Sequence, residues 1–501
     1  MLSLFAFRAI PIQSARAAEA QPAVAMFGGT PARNMVNTTA KDLPDDWNIK
    51  EGERKNVKWA VALGSMAYGG PVIAGGKVFV GTNNNKPRDP KIKGDKGVVM
   101  CFREADGEFL WQAVHDKLPN TSENDWPDQG VASAPAVEGQ RLYYVSNRCE
   151  LICADTEGFY DGKNDGVQDE PSQGKQDADI VWRLDMMKEL GVYPHYLANC
   201  SPLVAGDLVF VVTGNGVGDQ DTVPSPKAPS FLAVNKTTGK VVWSDNSPGD
   251  KIMEGQWTNP AYAVVNGQPQ VIFPGGDGWL RGFEAATGKL IWKFDCNPKS
   301  ATFKPGGRGT KNHIVGTPVV HDNKVYLGVG QNPESGPGVG HLWCIDITKK
   351  GDLSPVNDNF DPKADMNKNS GLVWHVGGSI VPKPKTGRDV QFGRTISTCA
   401  VHDGLVYAAE LDGYVSCFDA ATGKQYWQQD LKSDTWGSPY VADGKVYLGT
   451  NDGDIHIFAH DKEKKPLGKV EMDQSIHGTP VAVGKVLYVQ TDAKLFALAK
   501  P

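Results

Sequence analysis

The sequence predicts an all-β chain, an eight-bladed β-propeller of four-stranded antiparallel blades, and three observations carry that expectation. A unit of about fifty residues recurs along the 501-residue chain. Each copy but the sixth, where Cys399 stands in place of proline, opens with a small residue and a proline, as in Ser438-Pro439, and turns at Gly, Asp or Asn, as in Asp443-Gly444. Each good copy also closes on Thr-Gly-Lys ahead of a tryptophan, as in Thr422-Gly423-Lys424 and Trp427. A unit of several short strands cannot bury its apolar face without a neighbour, so such units stack or close into a ring.

The elements follow in order. Inner strands open at Pro71, Pro135, Pro202, Pro260, Pro318, Cys399, Pro439 and Pro480, which gives eight blades. In the sixth copy, strand A runs from Thr398 to Val401, B from Leu405 to Ala409, C from Tyr414 to Asp419 and D from Lys424 to Trp427. The A–B joins at Gly75-Gly76, Asn266-Gly267, Asp403-Gly404 and Asp443-Gly444 supply the positive φ values that two-residue hairpin turns demand. Outer strands carry Trp111, Trp182, Trp243, Trp292, Trp374 and Trp427, whereas blade seven ends near Val470 without one. The eighth copy runs out at Leu498 before a fourth strand, and Val57, Trp59 and Val61 alternate ahead of the first copy. That N-terminal strand is expected to close the last blade and leave no edge open.

Upstream, apolar Leu2 to Phe7 and the small residues of Ser14-Ala15-Arg16-Ala17-Ala18 read as a secretory signal over residues 1–20. Residues 21–54 read as a flexible polar leader, with residues 1–50 dispensable to the ring, and 55–501 as the propeller. A formal net charge of −6 argues against nucleic acid or an anionic membrane surface as partner. No stretch approaches the roughly 20 apolar residues of a membrane-spanning helix. A monomer is expected, and the leader implies export.

The stretch Phe283-Glu284-Ala285-Ala286-Thr287-Gly288-Lys289-Leu290-Ile291-Trp292, echoed from Phe418 to Trp427 and more loosely from Val234 to Trp243 and Phe102 to Trp111, resembles the repeat of the PQQ-like (quinoprotein-type) propellers. That family includes pyrroloquinoline quinone (PQQ) dehydrogenases and BamB-type scaffolds that carry no quinone. The resemblance covers roughly residues 57–499. It implies fold more than activity, because the repeat encodes blade packing while chemistry sits in loops; with the leader, it also implies a bacterial protein, periplasmic or secreted.

Cys101, Cys153, Cys344 and Cys417 share one position near the end of strand C, where other blades place Ala233, Gly282 and Ala497. A small side chain is what that position needs, so these four are expected reduced and buried. No two cysteines are adjacent, whereas the quinone-binding alcohol dehydrogenases are expected, from the resemblance, to hold a vicinal pair against the cofactor.

Loop lengths point to a working face. The long B–C segments, 83–96, 214–229 and 330–340, and the long D–A segments, 112–130, 183–198, 293–314 and 375–394, all emerge on one side. Two C–D insertions, 155–179 and 347–371, lie on the other. The residue three before each strand-A proline should surround the channel mouth on the elaborated side: Tyr68, Ala132, Asn199, Trp257, Val315, Ile396, Trp436 and His477. Tyr68, Trp436 and His477 then form an aromatic and polar arc suited to a flat or sugar-like ligand, or alternatively a plug of the axis. Arg308, Lys311 and His313 offer a basic cluster for an anion or a quinone carboxylate, with simple exposure as the competing reading.

Other motifs carry less. Asp161 to Gly166 with Asp169 resembles an acidic calcium loop, but Lys163 takes the third ligand place and no glutamate stands twelfth, so a solvated insertion is the better reading. Histidines such as His195, His313, His341, His375, His402 and His477 are scattered along the chain without zinc spacing. Two functions remain. One is a non-catalytic exported scaffold that binds a protein, peptide or carbohydrate with its long-loop face and needs no cofactor. The alternative is a PQQ-dependent alcohol or sugar dehydrogenase with PQQ and Ca2+ near the axis, which needs a Glu, Asn and Asp set that the sequence does not place.

Overall fold

The computed structural model describes residues 23–501 except 168, 169, 171 and 386. Eight antiparallel sheets hold the repeat, each with at least four strands in the order A-B-C-D from the inside out. Blade six shows the pattern: Ala400–His402, Leu405–Ala409, Tyr414–Asp419 and Gln425–Asp430 pair in sequence. Its A–B turn has Asp403 and Gly404 at φ 46° and 75°, the twist that a two-residue hairpin requires. The ring closes as the sequence predicts. Val57–Ala62 pairs antiparallel with Lys494–Leu498, Trp59 opposite Ala497, and becomes the outer strand of blade eight.

The shared strand-C position explains itself in the pairing. Cys101, Cys153, Ala233, Gly282, Cys344 and Cys417 stand opposite Trp111, Trp182, Trp243, Trp292, Trp374 and Trp427. A β-bulge follows or adjoins each pair. A small residue is required because the indole lies over it. Blade seven inverts the sizes, with Ile457 opposite Gly468, and so needs no tryptophan. All eight cysteines are free and buried.

The indoles also join blades. Trp59, Trp111, Trp182, Trp243, Trp374 and Trp427 each donate Nε1–H to a carbonyl in the next blade: Glu104, Thr156, Lys236, Ala285, Ala420 and Asp461, at 2.9–3.1 Å. Gly423 shows why the turn there is Thr-Gly-Lys: φ is 71°, and a Cβ would stand 2.7 Å from the Trp374 indole. The repeat motif thus encodes contacts between units as much as within them. The two C–D insertions cover outer edges. Gln112 of blade one exchanges backbone bonds with Gln176 and Ala178, and Gly351–Asp352 pairs in parallel with the outer strand of blade four.

The residues expected to form a flexible leader over 21–54 are, from residue 23 onward, packed against the ring; the signal-like residues 1–20 lie outside the described residues. From Val24 to Lys41 the chain runs round the channel mouth opposite the long loops and touches the inner edge of every blade in turn. Val24 bridges Ile73, and Ala25 accepts from the Val137 amide. Arg33 donates to the carbonyls of Ser201, Pro202 and Pro260 at 2.8–3.0 Å. Pro31 and Ala32 accept from Tyr262 and Val320, Asn34 pairs with Val401, and Val36–Asn37 pairs in parallel with Tyr440–Ala442. Asn37 then reaches Ala482 in blade eight. Beyond it, Leu43 and Trp47 are buried against blades seven and eight. Because this strap follows a circle, its buried residues have neither helical nor strand period, which is why they read as leader.

Candidate functional site

All eight positions read from the register, Tyr68, Ala132, Asn199, Trp257, Val315, Ile396, Trp436 and His477, line one axial cavity of about 510 Å3. They meet there because strand A is innermost in every blade and the same repeat position recurs at the same height. Its floor is Phe27 of the strap, and its rim is Trp126, Gln129, Tyr196, Asn332 and Glu334 from the long loops.

Two residues further along, a small polar residue recurs in six of the eight blades, with Gly70 and Ala134 standing there in blades one and two, and these side chains stitch neighbouring blades together. Ser201, Asn259, Ser438 and Thr479 accept from the amides of Ala134, Ser201, Thr398 and Ser438, and Asn259 donates to Thr317. The deeper wall is therefore polar but uncharged, with most of its hydrogen-bonding capacity already used.

Above that ring stand two aromatic walls. Tyr68 stacks on Trp436 at 5.6 Å between centroids, and His477 lies 4.7 Å from Trp436, edge-on. His477 Nδ1 is 2.7 Å from Asp492, which fixes the imidazole. Burial pushes the Tyr68 hydroxyl above its ordinary range, so it stays a neutral donor. Across the funnel, Trp257 and Tyr196 lie parallel at 6.2 Å, with Trp126 edge-on to Tyr196 at 4.8 Å. Trp257 is held by Nε1–H donated to the His195 carbonyl at 3.0 Å. The buried amide oxygen of Asn199 has no hydrogen-bond partner among the described residues.

Arg308, Lys311 and His313 do not converge on this cavity. Arg308 is exposed and pairs with Asp221, while Lys311 faces Asp295 at 3.6 Å. His313 is fully buried behind Trp257, with both ring nitrogens lacking a hydrogen-bond partner, and burial lowers its pKa to about 3. Beside it, Glu254 accepts from Asn332 at 2.6 Å, and burial raises its pKa to about 7. The calcium-like insertion is self-satisfied where described, Asp161 accepting from the Lys163 amide and ammonium; Asp169 lies outside the described residues. Register could not have found Trp126, Tyr196, Asn332 and Glu334, because they sit on irregular loops.

The donor set does not fit PQQ with Ca2+. That quinone carries several carboxylates, yet among the described lining residues there is no Arg or Lys. Calcium takes about 6–8 oxygen ligands rich in carboxylate, and among the described residues Glu334 is the only carboxylate in the lining.

Fold and cavity together define a closed propeller with an aromatic, nearly uncharged axial pocket. A family model described as outer membrane protein assembly factor BamB matches residues 95–360 and 364–500, and the chain belongs to this PQQ-like propeller family. It is 32% identical over 116 residues to a polyvinylalcohol dehydrogenase of Sphingopyxis sp., covering 22% of this chain and 18% of that protein. It is 35% identical over 97 residues to BamB of Burkholderia pseudomallei, covering 19% of this chain and 25% of that one. The chain thus spans a quarter or less of the length of these curated relatives. In fold it is similar to BamB of Moraxella catarrhalis, with TM-score 0.53 and 14% identity over 88% of this chain and 96% of that one.

Proposed function

We propose that this protein is a non-catalytic binding propeller of the bacterial periplasm that receives an uncharged, partly aromatic or hydroxylated segment of a protein partner in its axial funnel. The lining carries this reading: two aromatic walls over Ser, Thr and Asn, with no Lys or Arg and a single carboxylate among the described residues. Such a surface rewards flat apolar groups and neutral donors and penalises a desolvated anion. The unpartnered Asn199 oxygen adds an acceptor for a ligand N–H or O–H. The family description names an outer membrane protein assembly factor, which supports a protein partner and a periplasmic setting. Peptide and carbohydrate are the other ligand chemistries the walls would accept.

The test separates this from the dehydrogenase reading. Purified protein incubated with PQQ and Ca2+ is expected to show neither a bound chromophore nor dye-linked oxidation of alcohols. A stoichiometric bound quinone with alcohol oxidation would overturn the proposal.

A further inference from the structure

On the face opposite the funnel, three side chains from two adjacent blades converge. His402 ends strand A of blade six and Asp403 opens its A–B turn, and His460 stands just past strand C of blade seven, after Asp454–Ala459. One ligand atom from each lies within 4.8 Å of the others. His402 Nε2 is 3.4 Å and His460 Nε2 is 3.7 Å from the same carboxylate oxygen, Asp403 Oδ2. We propose that His402, Asp403 and His460 form a divalent metal site of borderline softness, best suited to Zn2+, that clasps blades six and seven, with water completing a tetrahedron.

Four features converge on that reading. The two separations exceed the roughly 2.7–3.2 Å of an N–H···O hydrogen bond, but they resemble a tetrahedron edge, about 3.3 Å for bonds of about 2.0–2.1 Å. The other nitrogen of His460 is occupied: Nδ1 lies 3.0 Å from the hydroxyl of buried Tyr407, which orients the ring with Nε2 toward Asp403. The imidazoles are stacked, 5.1 Å between centroids and 27° between planes, so their outer edges reach the same oxygen. Asp403 is pinned at φ 46° by its hairpin, yet its side chain is 72% exposed, which leaves entry for an ion and a water.

The repeat supplies its own control. Blade five has the same turn, with His321 Nε2 3.4 Å from Asp322, but blade six places Ala420 where blade seven has His460. Among the described residues, only the six–seven junction completes the set. Nitrogen and oxygen donors with neutral imidazole and one carboxylate favour Zn2+ over Ca2+ or Mg2+, which take all-oxygen sites.

The experiment uses tag-free full-length protein stripped with chelator. Calorimetric titration with ZnCl2 is expected to give one saturable site and a higher melting temperature. His460→Ala and His402→Ala should each weaken binding at least tenfold, Tyr407→Phe less so, and His321→Ala not at all. Co2+ in place of Zn2+ should give the intense visible absorption of a tetrahedral centre, lost in His460→Ala. If the His variants lose metal-free stability, Asp403→Asn keeps the turn residue type and should still weaken binding. Absence of saturable binding, or binding unchanged in both His402→Ala and His460→Ala, overturns the proposal.

Discussion

At the scale of single residues, strand C is governed by the volume beneath the indole. Cys101, Cys153, Cys344 and Cys417 fill that space, and burial raises all four thiols far above their ordinary range. Thiol reagents are therefore expected to miss them in the native protein and to label them after unfolding, as peptide mapping would show. The sequence alone reveals these positions because the same site recurs. Loop residues have no such recurrence. Arg308, Lys311 and His313 look like a cluster in sequence, yet one is exposed, one faces Asp295 and one is buried behind Trp257. Conversely, His402 and His460 are 58 positions apart by their numbers in the chain, and only the adjacency of blades six and seven brings them together. Glu254 gives a residue-scale pH dependence. Its pKa is raised by burial to about 7 from 4.5, so the native state keeps a proton that the unfolded state releases. That stability is full below about pH 4.5, declines as pH rises, and is lost above about pH 7, on the order of 3 kcal/mol. Urea midpoints should fall between about pH 5 and pH 8, and Glu254→Gln should flatten part of that fall. Glu410, also raised to about 7 by burial, leaves a residual slope of the same sign.

At the scale of elements, the turn after strand C is a docking surface for the preceding blade's tryptophan. The Thr-Gly-Lys motif is easily read; its partner is not, because sequence spacing describes one repeat and the contact belongs to two. Two glycines separate backbone strain from contact. Gly404 and Gly423 have similar φ, 75° and 71°, but a Cβ at Gly404 meets nothing within 4 Å, whereas one at Gly423 strikes the Trp374 indole. Gly404→Ala is expected to cost about 1 kcal/mol, the left-handed penalty alone. Gly423→Ala should cost about 1–3 kcal/mol more through displaced packing, read as a lower denaturation midpoint. Strand A is the element that register predicts best, since its positions recur at one height, and the whole first tier of the cavity follows from it. There the expected outcome concerns binding: Trp436→Ala and Trp257→Ala should each weaken partner affinity by about 2 kcal/mol, roughly thirtyfold, with melting nearly unchanged. Normal binding with early melting would instead make these side chains an axial plug.

At the scale of the whole molecule, the ring is closed twice: once by Val57–Ala62 in blade eight, and again by the strap from Val24 to Lys41 that touches all eight inner strands. The first closure is legible because alternation marks a strand. The second is not, because a chain bent round a circle spaces its contacts by geometry and not by period. Arg33 shows how firmly it is held. Its side chain is fully buried, its φ is 61°, and its guanidinium donates to the carbonyls of Phe27, Ser201, Pro202 and Pro260. Desolvation lowers its pKa to about 10, so at neutral pH the charge persists, stabilised by carbonyl dipoles. Arg33→Met would leave those carbonyls without their donor and is expected to cost on the order of 3 kcal/mol. Deleting residues 1–50 removes the strap but spares the closing strand, so the protein should still unfold cooperatively, at a clearly lower temperature. Deleting 1–62 also exposes the outer edge of blade eight and should broaden the transition and promote aggregation. Phe27 is the funnel floor, so the shorter deletion should also open the channel from below and admit a polar quencher to Trp257 and Trp436. Unchanged melting and quenching after removal of 1–50 would mean that the strap covers the ring without stabilising it.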